Sequence, residues 1–410
     1  MLHQDADYII DKTLRAVQPD EAVRKALQDK DFEKGKVFLI AIGKAAWKMA
    51  AQACQDLGSR LEEGVVITKY DHVGGPLERT QCFEAGHPIP DENSFLATRK
   101  AIECVKKAQE DDTILFLVSG GGSALFELPL IRGEELQKIT QQMLASGADI
   151  KEMNTIRKRL SAVKGGKFAE ICKPAKVYSI VLSDIIGDPL DMIASGPAYP
   201  DSSTCEDALE LTEKYGWSFS EDVMKLLAVE TPKKLDNVET IITGSVSNLC
   251  QEASQACQEL GYKSHILTDV LDCEAREAGY FLGAIGKTQS RKGKKVAFIA
   301  GGETIVHLHG KGKGGRNQEI ALAAAEKIDN LDHVAIFSIG SDGTDGPTDA
   351  AGGFVDGSTK RRLEEKGVSI FDTLLNNDSY HALDQVGGLI KTGPTGTNVN
   401  DVAVVLIEKE

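Results

Sequence analysis

The sequence predicts an α/β protein of two domains, and three observations predict it. Short apolar, β-branched runs alternate with longer helix-like stretches, the rhythm of successive βα units. Several of these runs empty into glycine followed by a polar or charged residue, which is where such sheets bind ligands. At 410 residues the chain exceeds one typical core.

Taken in order, Ile9, Ile10, Leu14 and Val17 recur at helical spacing among charged residues, so the opening reads as an amphipathic helix and not a signal peptide. The run Val37–Ile42 forms a strand that ends in Gly43-Lys44 and opens a helix over 45–56. Residues 65–69 predict a strand, 94–109 a helix, and Thr113–Val118 a strand ending in Ser119-Gly-Gly-Gly-Ser123. A helix over 134–146, a basic helix, and a strand over 177–182 ending in Ser183-Asp184 follow. This alternation implies parallel pairing through right-handed crossovers. Between 217 and 238 the pattern weakens into a charged segment, so the domains are expected at 1–236 and 237–410. A new cycle starts with a strand over 239–243, a helix through Leu260 and a strand over 263–267. Strands are then expected over 296–300, 305–309, 334–339, 389–392 and 402–406.

Lys plus Arg total 47 against 62 Asp plus Glu, and a net charge of −15 excludes general nucleic-acid or anionic-membrane binding while allowing a local basic pocket. No apolar run approaches the roughly 20 residues that span a bilayer. The eight cysteines contain no C-x-x-C pair, and Cys250 and Cys257 fall on one helical face, so reduced thiols and a cytoplasmic location are expected.

The loop SDGTDGPTDAAGG after 334–339 sets Asp342, Asp345 and Asp349 among glycines. Carboxylates so close raise one another's pKa unless a cation or hydrogen-bond donors sit among them, which suggests Mg²⁺; the alternative is a loop of Asp-Gly turns. Lys44 and Arg316 each follow a glycine loop at the start of a helix. A cation there opposes the helix dipole by about 0.3–1 kcal/mol, so a bound phosphate or carboxylate is expected beside it. Residues Ser119, Gly120, Gly121, Gly122 and Ser123 form a candidate nest of amides for phosphate. The chain lacks GxxxxGK[ST], and the G-x-G-x-x-G at Gly310, Gly312 and Gly315 lacks the acidic residue of a dinucleotide fingerprint; Lys311 and Lys313 suit phosphates better. In KEMNTIRKRLSAVKGGK one or two of Arg157, Lys158, Arg159, Lys164 and Lys167 should turn inward, with Lys158 and Lys167 solvated. Asp184, at a strand end, is placed as general base or metal ligand; Asp188 caps a turn. His87, His307 and His309 read as structural histidines.

Together these loops resemble the class II D-glycerate 2-kinases, the family with a C-terminal MOFRL domain. The matching segments include AIGKAAWKMA, EAGHPIPDENS, LVSGGGSALFELP, NTIRKRLSAVKGGKFAE, LSDIIGDPLDMIASGPAYPDSST, GGETIVHLHGKGKGGRNQE, SDGTDGPTDAAGGFVDGST and TGPTGTNVND, in order across most of the chain. The resemblance implies two three-layer α/β/α domains, an N-terminal Rossmann-like parallel sheet and a C-terminal MOFRL-type mixed sheet, with the active site in the cleft between them. It implies ATP-dependent phosphorylation of the 2-hydroxyl of D-glycerate with a divalent metal, and makes Lys44 and Arg316 the groups that act on the transferred phosphoryl. On that frame the Ser119–Ser123 nest takes the nucleotide phosphates, Arg157 and Asn398 take glycerate, Asp184 serves as base, and Asp342 and Asp345 hold Mg²⁺. Monomer and homodimer both stay open. Two other classes remain: a hydroxypyruvate reductase, since related sequences have carried that label, and a nucleotide-binding regulator without turnover.

Overall fold

The computed structural model describes residues 1–408 apart from 29, 33, 34, 184, 186 and 188. The chain divides into two compact units, each built on a six-stranded sheet. The N-terminal unit comprises Ala22–Ser183 and Asp188–Thr243; Met1–Glu21 and Gly244–Glu410 make up most of the C-terminal unit.

The N-terminal sheet contains β1 (Val37–Ile42), β2 (Leu61–Lys69), β3 (Thr80–Ala85), β4 (Thr113–Val118), β5 (Lys176–Leu182) and β6 (Val238–Gly244), in the spatial order β3-β2-β1-β4-β5-β6. The pairings β3/β2, β2/β1, β1/β4 and β4/β5 are all parallel. The inner strands are apolar without alternation because both faces are covered. Along β1, Phe38, Ile40 and Ile42 enter one core with Ala97, Ala101 and Phe168, while Val37, Leu39 and Ala41 enter another with Met49, Ala50 and Ala53. A third cluster joins the helices Gly133–Ala145, Ile150–Leu160, Cys205–Tyr215 and Glu221–Leu227. Register aligns the carboxyl ends: Ile42 lies beside Ile67 and Val118, Lys69 beside Ala85, and Val118 beside Val181.

The C-terminal sheet contains β7 (Lys263–Leu271), β8 (Val296–Gly302), β9 (Val334–Gly340), β10 (Gly352–Asp356), β11 (Leu389–Ile390) and β12 (Asp401–Ile407), in the order β11-β10-β9-β12-β8-β7. It is mixed: β7 and β8 are parallel, while β12 runs antiparallel between β8 and β9, and β10 antiparallel to β9. The helices Leu2–Ala16 and Val246–Glu259 cover one face, and Ala275–Ser290 and Arg316–Ile328 the other.

Four features differ from the sequence expectations. The strand at 238–244 closes the first sheet instead of opening the second, so the units part after Thr243 and not at 236. The opening helix packs in the C-terminal unit, its Ile9, Ile10 and Leu14 sharing a core with Leu249 and Phe337. Residues 305–309 form a loop with a single bridge, Ile305 to Glu274, where a strand was expected. Strands β3 and β10 carry little strand signal, because β3 is a polar edge (TQCFEA) and β10 opens on Gly352-Gly353. No helix among the described residues is long and apolar enough to cross a membrane.

Candidate active site

The order 3-2-1-4-5-6 places a topological switch between β1 and β4, where chain connections depart in opposite directions and leave a crevice. Lys44 and Ser119 stand on its two sides. Gly43, at φ 113°, is required there: a Cβ would lie 2.3 Å from Ser119 Oγ and 2.4 Å from the Ser119 carbonyl. The two turns interlock, with Lys44 N donating to Gly120 O (2.9 Å) and Ala45 N to Ser119 Oγ (3.1 Å). The helix itself starts at Ala46, so Lys44 precedes its first turn instead of lying within it. Its side chain is exposed, and its ammonium has no hydrogen bond or ion pair among the described residues.

The run from Ser119 to Ser123 offers free backbone donors. Gly121 adopts φ 87°, and the amides of Gly120, Gly121, Gly122 and Ser123 have no partner among the described residues. Ser119 does not face a ligand: its hydroxyl donates to Ile42 O and accepts from Ala45 N. Ser123 Oγ lies 3.0 Å from Ser195 Oγ, which donates to Asn154 Oδ1. Ala194 and Ser195 both hold positive φ, strain of the kind that collects at working sites.

Arg157 and Lys164 both donate to the Ser123 carbonyl, at 3.3 and 2.8 Å. The Arg157 Nε is buried without a partner. The rest of the basic segment is not a solvated face. Lys158, 2% exposed, pairs with Asp201 at 2.9 Å, and buried Arg159 pairs with Asp201 and Glu230. Lys164 sits 3.1 Å from Glu127, and burial lowers its pKa to about 8. Lys167, also lowered to about 8 by burial, donates to the carbonyls of Lys158, Arg159 and Ser161. Lys158 is therefore an interior group that faces a buried carboxylate from a distant sequence position, and Lys167 is half-buried against the carbonyls at the end of the helix just before it. Asp184 and Asp188 lie outside the described residues. Asp191 accepts from Ser202 at 2.5 Å and stands 3.5 Å from Lys158.

His87 departs from the expectation of a satisfied structural histidine. Its ring packs on Gly121 and has no hydrogen bond among the described residues; burial, then Lys44 and Lys69, lower its pKa. Sequence reasoning missed Lys69 as well, the last residue of β2, since a lysine closing a strand carries no signal by itself.

In the C-terminal unit, Arg316 is the first residue of its helix. Its guanidinium grips both oxygens of Asp401, Nε at 2.5 Å and Nη2 at 3.1 Å, and reaches Glu303 at 2.7 Å. Burial works against its charge, but the two carboxylates outweigh burial and raise its pKa. The charge expected to wait for an anion is thus already compensated. Asp345 accepts the amides of Asn317 (3.1 Å) and Gln318 (2.8 Å), capping the same helix from a distance. Burial lifts both Asp345 and Asp401 to about 6 against these favourable contacts. Asp342 Oδ1 accepts from Thr344 N, an Asx turn that leaves Oδ2 open. Asp349 is a surface group held near 2 by Tyr380 and then Lys391. Asn398 is exposed, its Oδ1 accepting from Asn400 N. A cleft of about 900 Å³ within this unit is lined by Glu303, Arg316, Asp342 and Asp345, with Ile305 and Leu308 on its apolar side.

The run GKGKGG is a packing device and not a phosphate cradle. A Cβ on Gly310 would lie 2.2 Å from Asn376 O, and one on Gly315 2.3 Å from Asp345 Cγ. Asn377 Oδ1 accepts the amides of His309 and Gly310, Asn376 Oδ1 that of Lys311, and Asp378 Oδ1 that of Lys313. Lys313 itself lies over the Tyr380 ring.

As a metal site, the loop after β9 fits Mg²⁺ at Asp342 and poorly at Asp345, whose oxygens hold the helix end. The only trio of potential ligands close enough to share an ion among the described residues is Cys205, Glu206 and Glu230.

A family model described as a domain of unknown function (DUF4147) matches residues 5–228, and the MOFRL family model matches 296–401. A D-glycerate 2-kinase of Thermotoga maritima is 53% identical over 405 residues, covering 97% of each chain. The chain belongs to the glycerate kinase family with a MOFRL domain. A glycerate 2-kinase of Pyrococcus horikoshii is 43% identical, covering 97% of this family member and 96% of the relative. A crystal structure of a Thermotoga maritima glycerate kinase superposes with a TM-score of 0.95 at 52% identity, covering 99% of both chains. The fold of this glycerate kinase family member, two α/β units with one parallel and one mixed sheet, agrees with that neighbour.

Proposed function

We propose that the chain transfers the γ-phosphoryl group of ATP to the 2-hydroxyl of D-glycerate, giving 2-phospho-D-glycerate and ADP. Near-full-length similarity to two glycerate 2-kinases supports the reaction. The observation that carries the chemistry is Lys44, without a counterion among the described residues, beside a run of amides that have no partner among them either. Phosphoryl transfer asks mainly for positioning and for compensation of oxygen charge. The Gly120–Ser123 amides take non-bridging phosphate oxygens, and Lys44 neutralises charge on the transferred group.

Arg157 reaches the same loop, and its unpartnered Nε supports an assignment to the glycerate carboxylate. Asn398 is assigned to the substrate and Asp184 to the hydroxyl proton. Asp342 would hold Mg²⁺ through its carboxylate, and the bound ion would add compensation of phosphate charge; Asp345 serves as the helix cap. Arg316 acts on the phosphoryl group only as part of a unit with Asp401 and Glu303. Eight unpaired cysteines support a cytoplasmic location, and the chain works as a monomer or homodimer.

Release of ADP that depends on D-glycerate, with no NADH oxidation on hydroxypyruvate, is the expected result. Hydroxypyruvate-dependent NADH oxidation without ADP release would overturn this reading.

A further inference from the structure

Three groups of the N-terminal unit share one condition. The ammonium groups of Lys44 and Lys69 and both ring nitrogens of His87 have no hydrogen bond or ion pair among the described residues. They come from the carboxyl ends of three adjacent strands. Lys69 closes β2 in register with Ala85, the last residue of β3, and His87 follows two positions on. Lys44 stands two positions beyond Ile42, which pairs with Ile67. The ring of His87 and the stem of Lys44 meet over the middle of the nest: a Cβ on Gly121 would lie 3.1 Å from His87 Nε2 and 3.2 Å from Lys44 Cγ.

Cations gathered without a counter-charge repel one another, and this chain carries a surplus of carboxylates to compensate them. Elsewhere in the same unit it does so: Lys158 and Arg159 face Asp201, and Lys164 faces Glu127. At the strand ends no carboxylate among the described residues does so. An anion from outside the chain would compensate them if it were long enough to touch three strand ends and the nest.

We infer that Lys69 and His87 join Lys44 and the Gly120–Ser123 amides as ligands of a polyphosphate chain, an assignment that rests on the kinase reading and adds two residues to it. Each offers a charge-assisted or neutral N–H to a phosphate oxygen. Lys69 and Lys44 supply fixed positive charge on neighbouring strands. His87 supplies a hydrogen bond whose proton depends on the occupant. The charged groups acting on His87 are Lys44 and Lys69, both cationic, and after burial they lower its pKa in the free protein, which favours the neutral ring. A bound polyphosphate reverses that balance and raises the His87 pKa. Between the free and bound values binding takes up a proton, and affinity falls as pH rises through that window.

The test is calorimetric titration of the full chain with inorganic tripolyphosphate, without glycerate, at pH 7 in two buffers of different protonation enthalpy. Lys69→Met and His87→Asn should each weaken binding about tenfold or more, the loss of one hydrogen bond to a charged group. Lys69→Arg should retain most of the affinity, and His87→Asn should remove the part of the proton uptake that the wild type shows beyond the ligand's own. Melting temperatures of the variants check that each is folded, and His87→Gln serves if His87→Asn is not. Binding within twofold of wild type in both variants, proton uptake unchanged without His87, or no tripolyphosphate binding by the wild type overturns the inference. Weakened binding in the variants of a wild type that shows no glycerate-dependent ADP release would count against the kinase reading and leave these ligands standing.

Discussion

The strand ends of the two units treat their cations in opposite ways. Lys44 and Lys69 in the N-terminal unit have no carboxylate partner among the described residues, while Arg316 in the C-terminal unit is held by Asp401 and Glu303 with Asp345 behind them. A solvated cation without a counterion adds little to the fold and is open to a ligand. One with two counterions stabilises the fold and presents little net charge. The glycine that precedes each cation looks alike in sequence, so motif and charge state have to be read separately.

The largest effect that this contrast predicts is on catalysis at Lys44. Lys44→Ala should lower kcat by about 10²–10³-fold, since it removes charge compensation at the transferred group. Its melting temperature should stay near wild type, because the side chain has no partner to lose; a drop of several degrees would show that Lys44 has a structural role. Arg316→Ala should lower both activity and stability. Asp401 is left buried without its counterion, with only the Asn317 hydrogen bond to favour its charge, at a cost near the lower end of about 3–5 kcal/mol, since the arginine is a third exposed. Unchanged melting would return Arg316 to the role of a waiting cation and erase the contrast.

A smaller pair of effects separates Asp345 from Asp342. Asp345→Asn should cost about 1–2 kcal/mol through the weakened helix cap, with a Mg²⁺ requirement like that of the wild type. Asp342→Asn should melt like wild type and lose activity that high Mg²⁺ partly restores. The reverse assignment of these responses would return the metal to Asp345. The smallest effect is on pH dependence. Asp345 and Asp401 are raised to about 6 in the folded chain, above an unfolded value near 4, so the folded state holds more protons between them. Their contribution to stability is full below about pH 4 and is lost as pH rises to about 6. Denaturant titrations should show a shallower fall across that window in Asp345→Asn; an identical slope would contradict it.

Much of this arrangement was legible in the sequence. The apolar runs at 37–42, 113–118 and 334–339 are buried on both faces and so lack alternation, and each matched its strand closely. The turns that hold Lys44 and the glycine run were legible because each follows such a run directly. What stayed hidden depends on distant pairing. Nothing near Lys158 announces Asp201, nothing near GKGKGG announces the Asn376–Asp378 turn that takes its amides, and Arg316 looked free because Asp401 opens a strand 85 positions away. His87 and Lys69 were missed for the same reason, as only the order β3-β2-β1-β4 sets them beside Lys44. The strand at 238–244 was given to the wrong sheet because a weak charged linker before it imitates a domain boundary.

The central claim is that this chain phosphorylates D-glycerate at its 2-hydroxyl, and phosphorus NMR of the reaction with ATP, Mg²⁺ and D-glycerate tests it most directly. The account predicts ADP and a single new monoester resonance coupled to one proton, that of 2-phosphoglycerate. A resonance coupled to two protons, that of 3-phosphoglycerate, or no glycerate-dependent product at all, would contradict it.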